Sequence, residues 1–213
     1  MSLTLSCTAA RAADLKWDAA LPSSAAPRPA NSALDGRTRV MLNSLMERQA
    51  ERLKQYWSSI GAGVRPGVAQ TSLESFESKY DITLPGDFRD YFSTIDGMEE
   101  GCWDNEMIRF WQLHCVKSVP EALSHFAGVP DYSRIARRLS EASSYFVFAD
   151  FLIWSHVYAI KLGSRRPDRN QILWICGSKH HLIAESFSDF LQMYLENSDS
   201  ILFPKKLRGC CLI

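Results

Sequence analysis

The sequence predicts an α+β domain, with a mostly antiparallel sheet and helices packed on one face. Three observations carry this prediction. Up to about residue 97 the apolar residues recur three and four apart, the period of a helix face. From Met107 to Cys176 they fall in short runs rich in aromatic and β-branched residues, as strands require. Helical spacing returns after Ser186. Helices, then neighbouring strands, then a last helix fold as helices laid on an antiparallel sheet.

Each element has its own local justification. Residues 1–36, which include LPSSAAPRPANSALDG, are rich in Ala, Ser and Pro and lack an apolar period, so they are expected to be disordered. Residues 37–70 read as an N-terminal helix and linker. Val40, Leu42, Leu45, Met46, Leu53 and Trp57 form one helical face, and GAGVRPGVAQ breaks it. Residues 71–200 form the main domain, and residues 201–213 a basic tail.

Within the domain, Thr71 or Ser72 is expected to cap a helix with Leu73, Phe76 and Tyr80 on its face. Glu74 and Glu77 lie in its early turns, where they favour the helix dipole. Pro85 disfavours helix at Leu84 and so ends it. A second helix follows with Phe88, Tyr91, Phe92 and Ile95 inward, and Gly97 is expected just past its end. MIRFWQL alternates as a strand. YFVFADFLIWSHVYAIKL is too long for one strand and divides near DFLIWS into two. SRRPDRN is a polar turn, QILWICG another strand and HLIAE a short one. Ser186 caps a closing helix with Phe187, Phe190, Leu191 and Tyr194 on one face. SVPEALSHFAGVPDYSRIARRLSEASS reads as helical or loop-like linker.

Composition narrows the function classes. With 46% hydrophobic and 11% aromatic residues the chain matches a soluble globular protein. Its 24 basic and 24 acidic residues cancel, which argues against a nucleic-acid partner. No apolar run approaches the roughly 20 residues that span a bilayer. The N-terminus lacks the basic and apolar regions of a secretory signal. Cys7, Cys102, Cys115, Cys176, Cys210 and Cys211 show no regular spacing, which points to reduced thiols in the cytoplasm.

Catalytic signatures are not legible. His180 and His181 are adjacent and would point to opposite faces of a strand. Cys176 and His180 make one C-x₃-H pair with no second pair to complete a zinc site. His156 sits in an aromatic strand and reads as a satisfied core histidine. The chain has no phosphate loop, GxSxG or HExxH. No catalytic residue, cofactor or metal is therefore expected. An enzyme would need a thiol with a lowered pKa in a cleft.

Charge is segregated instead. From Glu74 to Glu106 ten acidic residues face only Lys79 and Arg89, a net charge of −8 in a neutral chain. Such a segment can steer a basic partner. Asp87, Asp90, Asp96, Glu99, Glu100, Asp104 and Glu106 are the candidate partner-binding residues.

Residues 72–196 carry a resemblance. A helix followed by LP, an aromatic-rich helix and DG, then FVFAD, YAIKL, ILWICG and LIAESFSDFLQMYL, resembles the SUKH superfamily, whose branches include yeast regulators of cell-wall synthesis. The resemblance implies an α+β fold and protein binding rather than catalysis. Many bacterial members are immunity proteins that neutralise toxins, often nucleases, and eukaryotic members act as interaction modules. It implies as partner a cognate toxin with a basic surface. It transfers no active-site residue. Val116–Leu139 is a long insert for the family, and the first 70 residues have no counterpart in it.

The tail adds an alternative. Cys210-Cys211-Leu212-Ile213 has the C-a-a-X form, with Lys205, Lys206 and Arg208 upstream. Prenylation of Cys210 beside that basic patch would anchor a regulatory or scaffold module to a membrane.

Overall fold

The computed structural model describes residues 49–164 and 170–204. A helix through residues 49–59 (α1) opens them, with Leu53 and Trp57 buried, as their spacing predicts. The rest of that predicted helical face lies outside the described residues, as do residues 1–36. The next stretch is no simple break. It contains β1 (Val64–Pro66), which pairs antiparallel with β2 (Ile95–Met98) in a two-stranded sheet.

Between these strands lie α2 (Gln70–Tyr80) and α3 (Gly86–Thr94). The cap of α2 differs from the expected one. Its N-cap is Ala69, with no side-chain cap bond, and the Ser72 amide donates to the Ala69 carbonyl at 2.9 Å. The helix ends at Asp81, in the left-handed region at φ 51°. Contrary to expectation α2 has no acid in its first turn, and Glu77 lies towards its C-terminal end, where it serves the corner rather than the dipole. Its carboxylate accepts from the Leu84 amide at 2.7 Å and pairs with Arg89 at 2.5 Å, so it ties the LP corner to both helices. Gly97 is not a helix terminator. α3 ends at Thr94 and passes straight into β2, where Gly97 has φ +68° against the Trp111 backbone.

The main sheet runs β3 (Ile108–Phe110), β5 (Tyr145–Phe151), β6 (His156–Lys161), β7 (Ile172–Cys176) and β8 (Lys179–Ala184). β4 (Lys117–Ser118) also pairs with β5, and every pairing is antiparallel. The fold is α+β. Phe146, Phe148, Tyr158, Ile160, Ile172 and Trp174 point from this sheet into the larger core. There they meet α1, α2, α3 and α6 (Phe187–Leu195). Ser186 caps α6 as its sequence predicts, with its hydroxyl accepting from the Asp189 amide at 3.0 Å.

The segment from Val119 to Ser144 is a second layer rather than a linker. It includes α4 (Val119–Leu123) and α5 (Ile135–Arg138). Val119, Leu123, Tyr132, Ile135, Leu139 and Ala142 cover Val147, Val157, Ala159, Leu173 and Ile175 on the opposite face of the sheet. β5, β6 and β7 are therefore buried on both faces, which explains why they read as continuous apolar runs.

Candidate functional site

The seven candidate acids occupy different environments. Asp87 accepts from the Phe88 amide at 2.8 Å and the Ser188 amide at 2.9 Å, so it joins the first turns of α3 and α6. Burial raises its pKa above the ordinary value. Asp96, only 6% exposed, accepts from the Leu113 amide at 2.7 Å and lies 3.6 Å from Arg65. Asp104 is buried too. It accepts from the Ile108 and Glu106 amides and from the Tyr194 hydroxyl, whose oxygen in turn accepts from the Trp57 indole. Burial raises Asp104 as well. Asp90 is half-buried on α3. Glu99, Glu100 and Glu106 are exposed.

Glu99 and Glu100 stand beside a cleft of about 420 Å³, with Arg109, Trp111, Lys117 and Trp154 among its lining residues. Its geometry is organised by Asp150, which is 0% exposed. One carboxylate oxygen accepts from the Trp111 indole at 2.6 Å and from Arg109 Nε at 3.1 Å, with Arg109 Nη2 at 3.0 Å. The other accepts from the Trp154 amide at 3.3 Å. A buried carboxylate would be costly alone, and these four donors together with the Arg109 charge make it tolerable.

The turn that delivers Trp154 is strained. Leu152, Ile153 and Trp154 have φ of 46°, 51° and 70°, a left-handed run with no glycine. Leu152 and Ile153 are 48% and 66% exposed, while Trp154 turns inward. Its ring stacks on Phe126 at 5.3 Å and meets Trp111 at 4.9 Å. None of this was expected from the candidate acids. The available signals were an Asp inside an apolar strand and the absence of Gly, Asn or Asp from the tip of FLIWSH.

The cleft also holds Cys115, with its sulfur 3.3 Å from His114 Nε2. Burial raises the Cys115 thiol, outweighing Arg109 and Lys117, so it stays protonated at neutral pH. His156 is buried, with its pKa lowered to about 3 by burial, and its Nε2 lies 3.0 Å from the Tyr158 hydroxyl. On β8, His180 pairs with Ile175 and His181 with Trp174. Among the described residues no three His, Cys, Asp or Glu side chains are grouped to hold a metal ion. Nor is any helix among them long and apolar enough to cross a membrane. Cys210 and its basic neighbours lie outside the described residues.

The family model described as SMI1 / KNR4 family (SUKH-1) matches residues 67–193. That span holds the Glu77 corner, the cleft, the whole main sheet and most of α6. No curated protein matches the chain.

Proposed function

The chain belongs to the SMI1 / KNR4 family (SUKH-1), and from that premise we propose that it is a non-catalytic protein-binding domain, an immunity protein that neutralises a toxin by occluding it. The partner presents a basic surface, and a nuclease, which must bind phosphates, fits that chemistry. The observation that carries this reading is the placement of Glu99, Glu100 and Glu106. All three are exposed, and none has an ion-pair partner among the described residues. Asp87, Asp96 and Asp104 are held by the chain's own amides and hydroxyls and Asp90 is half-buried, so the three exposed glutamates present their charge most directly to a partner. The free thiols of Cys102 and Cys115 fit a cytoplasmic setting.

The test is to purify the protein from its own source and identify stoichiometric partners by mass spectrometry. A basic toxin domain is the expected result. Reversing Glu99, Glu100 and Glu106 to Lys should then slow association by about ten-fold or more and remove its salt dependence. An on-rate indifferent to these changes would sink the electrostatic reading. Recovery of a signalling or structural protein in place of a toxin would make the chain a regulatory or scaffold module.

A further inference from the structure

We propose that the cleft beside Trp154 receives an arginine side chain of the protein partner, its guanidinium lying along the half-buried Trp154 ring that Trp111 supports from beneath, and its charge answered by Glu99 and Glu100. This rests on the reading of the chain as a binder of a basic protein, and it assigns a place and a residue type to the contact. The volume of about 420 Å³ falls within the range of ligand clefts, about 300–1,000 Å³.

Three features favour a guanidinium. First, the aromatic wall is held in place before any ligand arrives. Asp150 fixes the Trp111 indole and the Trp154 amide, and Phe126 backs the Trp154 ring. Indole is the best aromatic surface for a cation. Second, the local charges leave an acidic surplus. Arg109 is matched by Asp150, and Lys79 lies 4.0 Å from Glu121, which leaves Glu99 and Glu100 against Lys117. Third, the same neighbourhood already places one guanidinium on an indole, with Arg109 over the Trp103 ring at 5.8 Å. A planar, weakly hydrated guanidinium suits such a wall better than the compact, strongly hydrated ammonium of lysine.

The test titrates the full chain with capped tetra-arginine, tetra-lysine and tetra-citrulline peptides, followed by tryptophan fluorescence and calorimetry. Tetra-arginine should bind and perturb the fluorescence, tetra-lysine should bind about five-fold or more weakly, and tetra-citrulline should not bind. The double variant Glu99→Gln and Glu100→Gln should lose about ten-fold in affinity for tetra-arginine at an unchanged Tm. Glu196→Gln, on the exposed end of α6, should lose nothing. Trp154→Leu should erase the preference for arginine. Because Trp154 also packs on Phe126, the glutamine pair decides if that variant fails to fold. Equal affinity for arginine and lysine peptides, or undiminished affinity in the glutamine pair, overturns the proposal. The titration uses no natural partner, so it stands or falls apart from the partner's recovery. A basic partner that still binds the glutamine pair at full strength would place the contact on another surface and leave the binding reading intact.

Discussion

Trp111 donates its indole N–H to Asp150 at 2.6 Å, joining the residue just after β3 to a carboxylate buried in β5. Arg109 and the Trp154 amide complete the set, so one carboxylate organises a strand end, a hairpin tip and a cleft wall. Asp150→Ala leaves the Arg109 charge without its partner and frees both tryptophans. The expected loss is about 3–5 kcal/mol in urea unfolding, with a changed tryptophan emission in what remains folded. A loss below about 1 kcal/mol would mean that solvent already screens the pair.

The hairpin tip yields a prediction of opposite sign. Ile153 is β-branched, largely exposed and in the left-handed region, where such a side chain is strained. Asn tolerates that conformation and buries nothing less. Ile153→Asn should therefore stabilise the chain by about 1 kcal/mol, read as a rise in the urea midpoint. An unchanged or lower midpoint would show that Ile153 packs more than its exposure implies.

His156 sets part of the acid sensitivity. Burial keeps it neutral in the folded chain down to about pH 3, whereas in the unfolded chain it titrates near its ordinary 6.5. Between those values the unfolded state binds more protons. Stability attributable to His156 thus falls as pH drops from 6.5 towards 3, by up to about 1.4 kcal/mol per pH unit. Asp87 and Asp104 act in the other direction. Their raised values make the folded state bind more protons above 3.8, so each loses stability as pH rises through that window. His156→Phe keeps a ring against Phe151 and should flatten the decline between pH 6.5 and 4.5. Urea midpoints with the same slope in both proteins would rule out His156 as its source.

Gly97 is required by geometry. It combines φ +68° with a site where a Cβ would lie 2.6 Å from the Trp111 carbonyl carbon and oxygen. Gly97→Ala should cost about 3 kcal/mol from backbone strain and displaced backbone together. Since β2 lies against Trp111, the same variant should disturb the cleft, detectable as altered tryptophan emission. A variant with the parent Tm would show that this approach relaxes freely.

What the sequence determined by itself was short in range. The division of the long apolar run near DFLIWS, the corner at Leu84 and Pro85 and the Ser186 cap all depend on residues within a turn or two of one another. Periodicity and turn chemistry act at that distance, and so does the inward face of α6. Tertiary structure decided which acids face outward. Asp87 reaches Ser188 across 101 positions and Asp104 reaches Tyr194 across 90, contacts no local pattern announces. It also turned the segment around Val119 and Ile135 into a second layer. Helices of five and four residues are too short to show a period, and only the apolar outer face of β5–β7 calls for their cover. The cleft is decided at this level too, because Asp150 becomes its organiser only when donors from three separate residues converge on one buried carboxylate. Hydrogen bonding and desolvation are settled by what meets in space, and the local sequence does not encode those meetings.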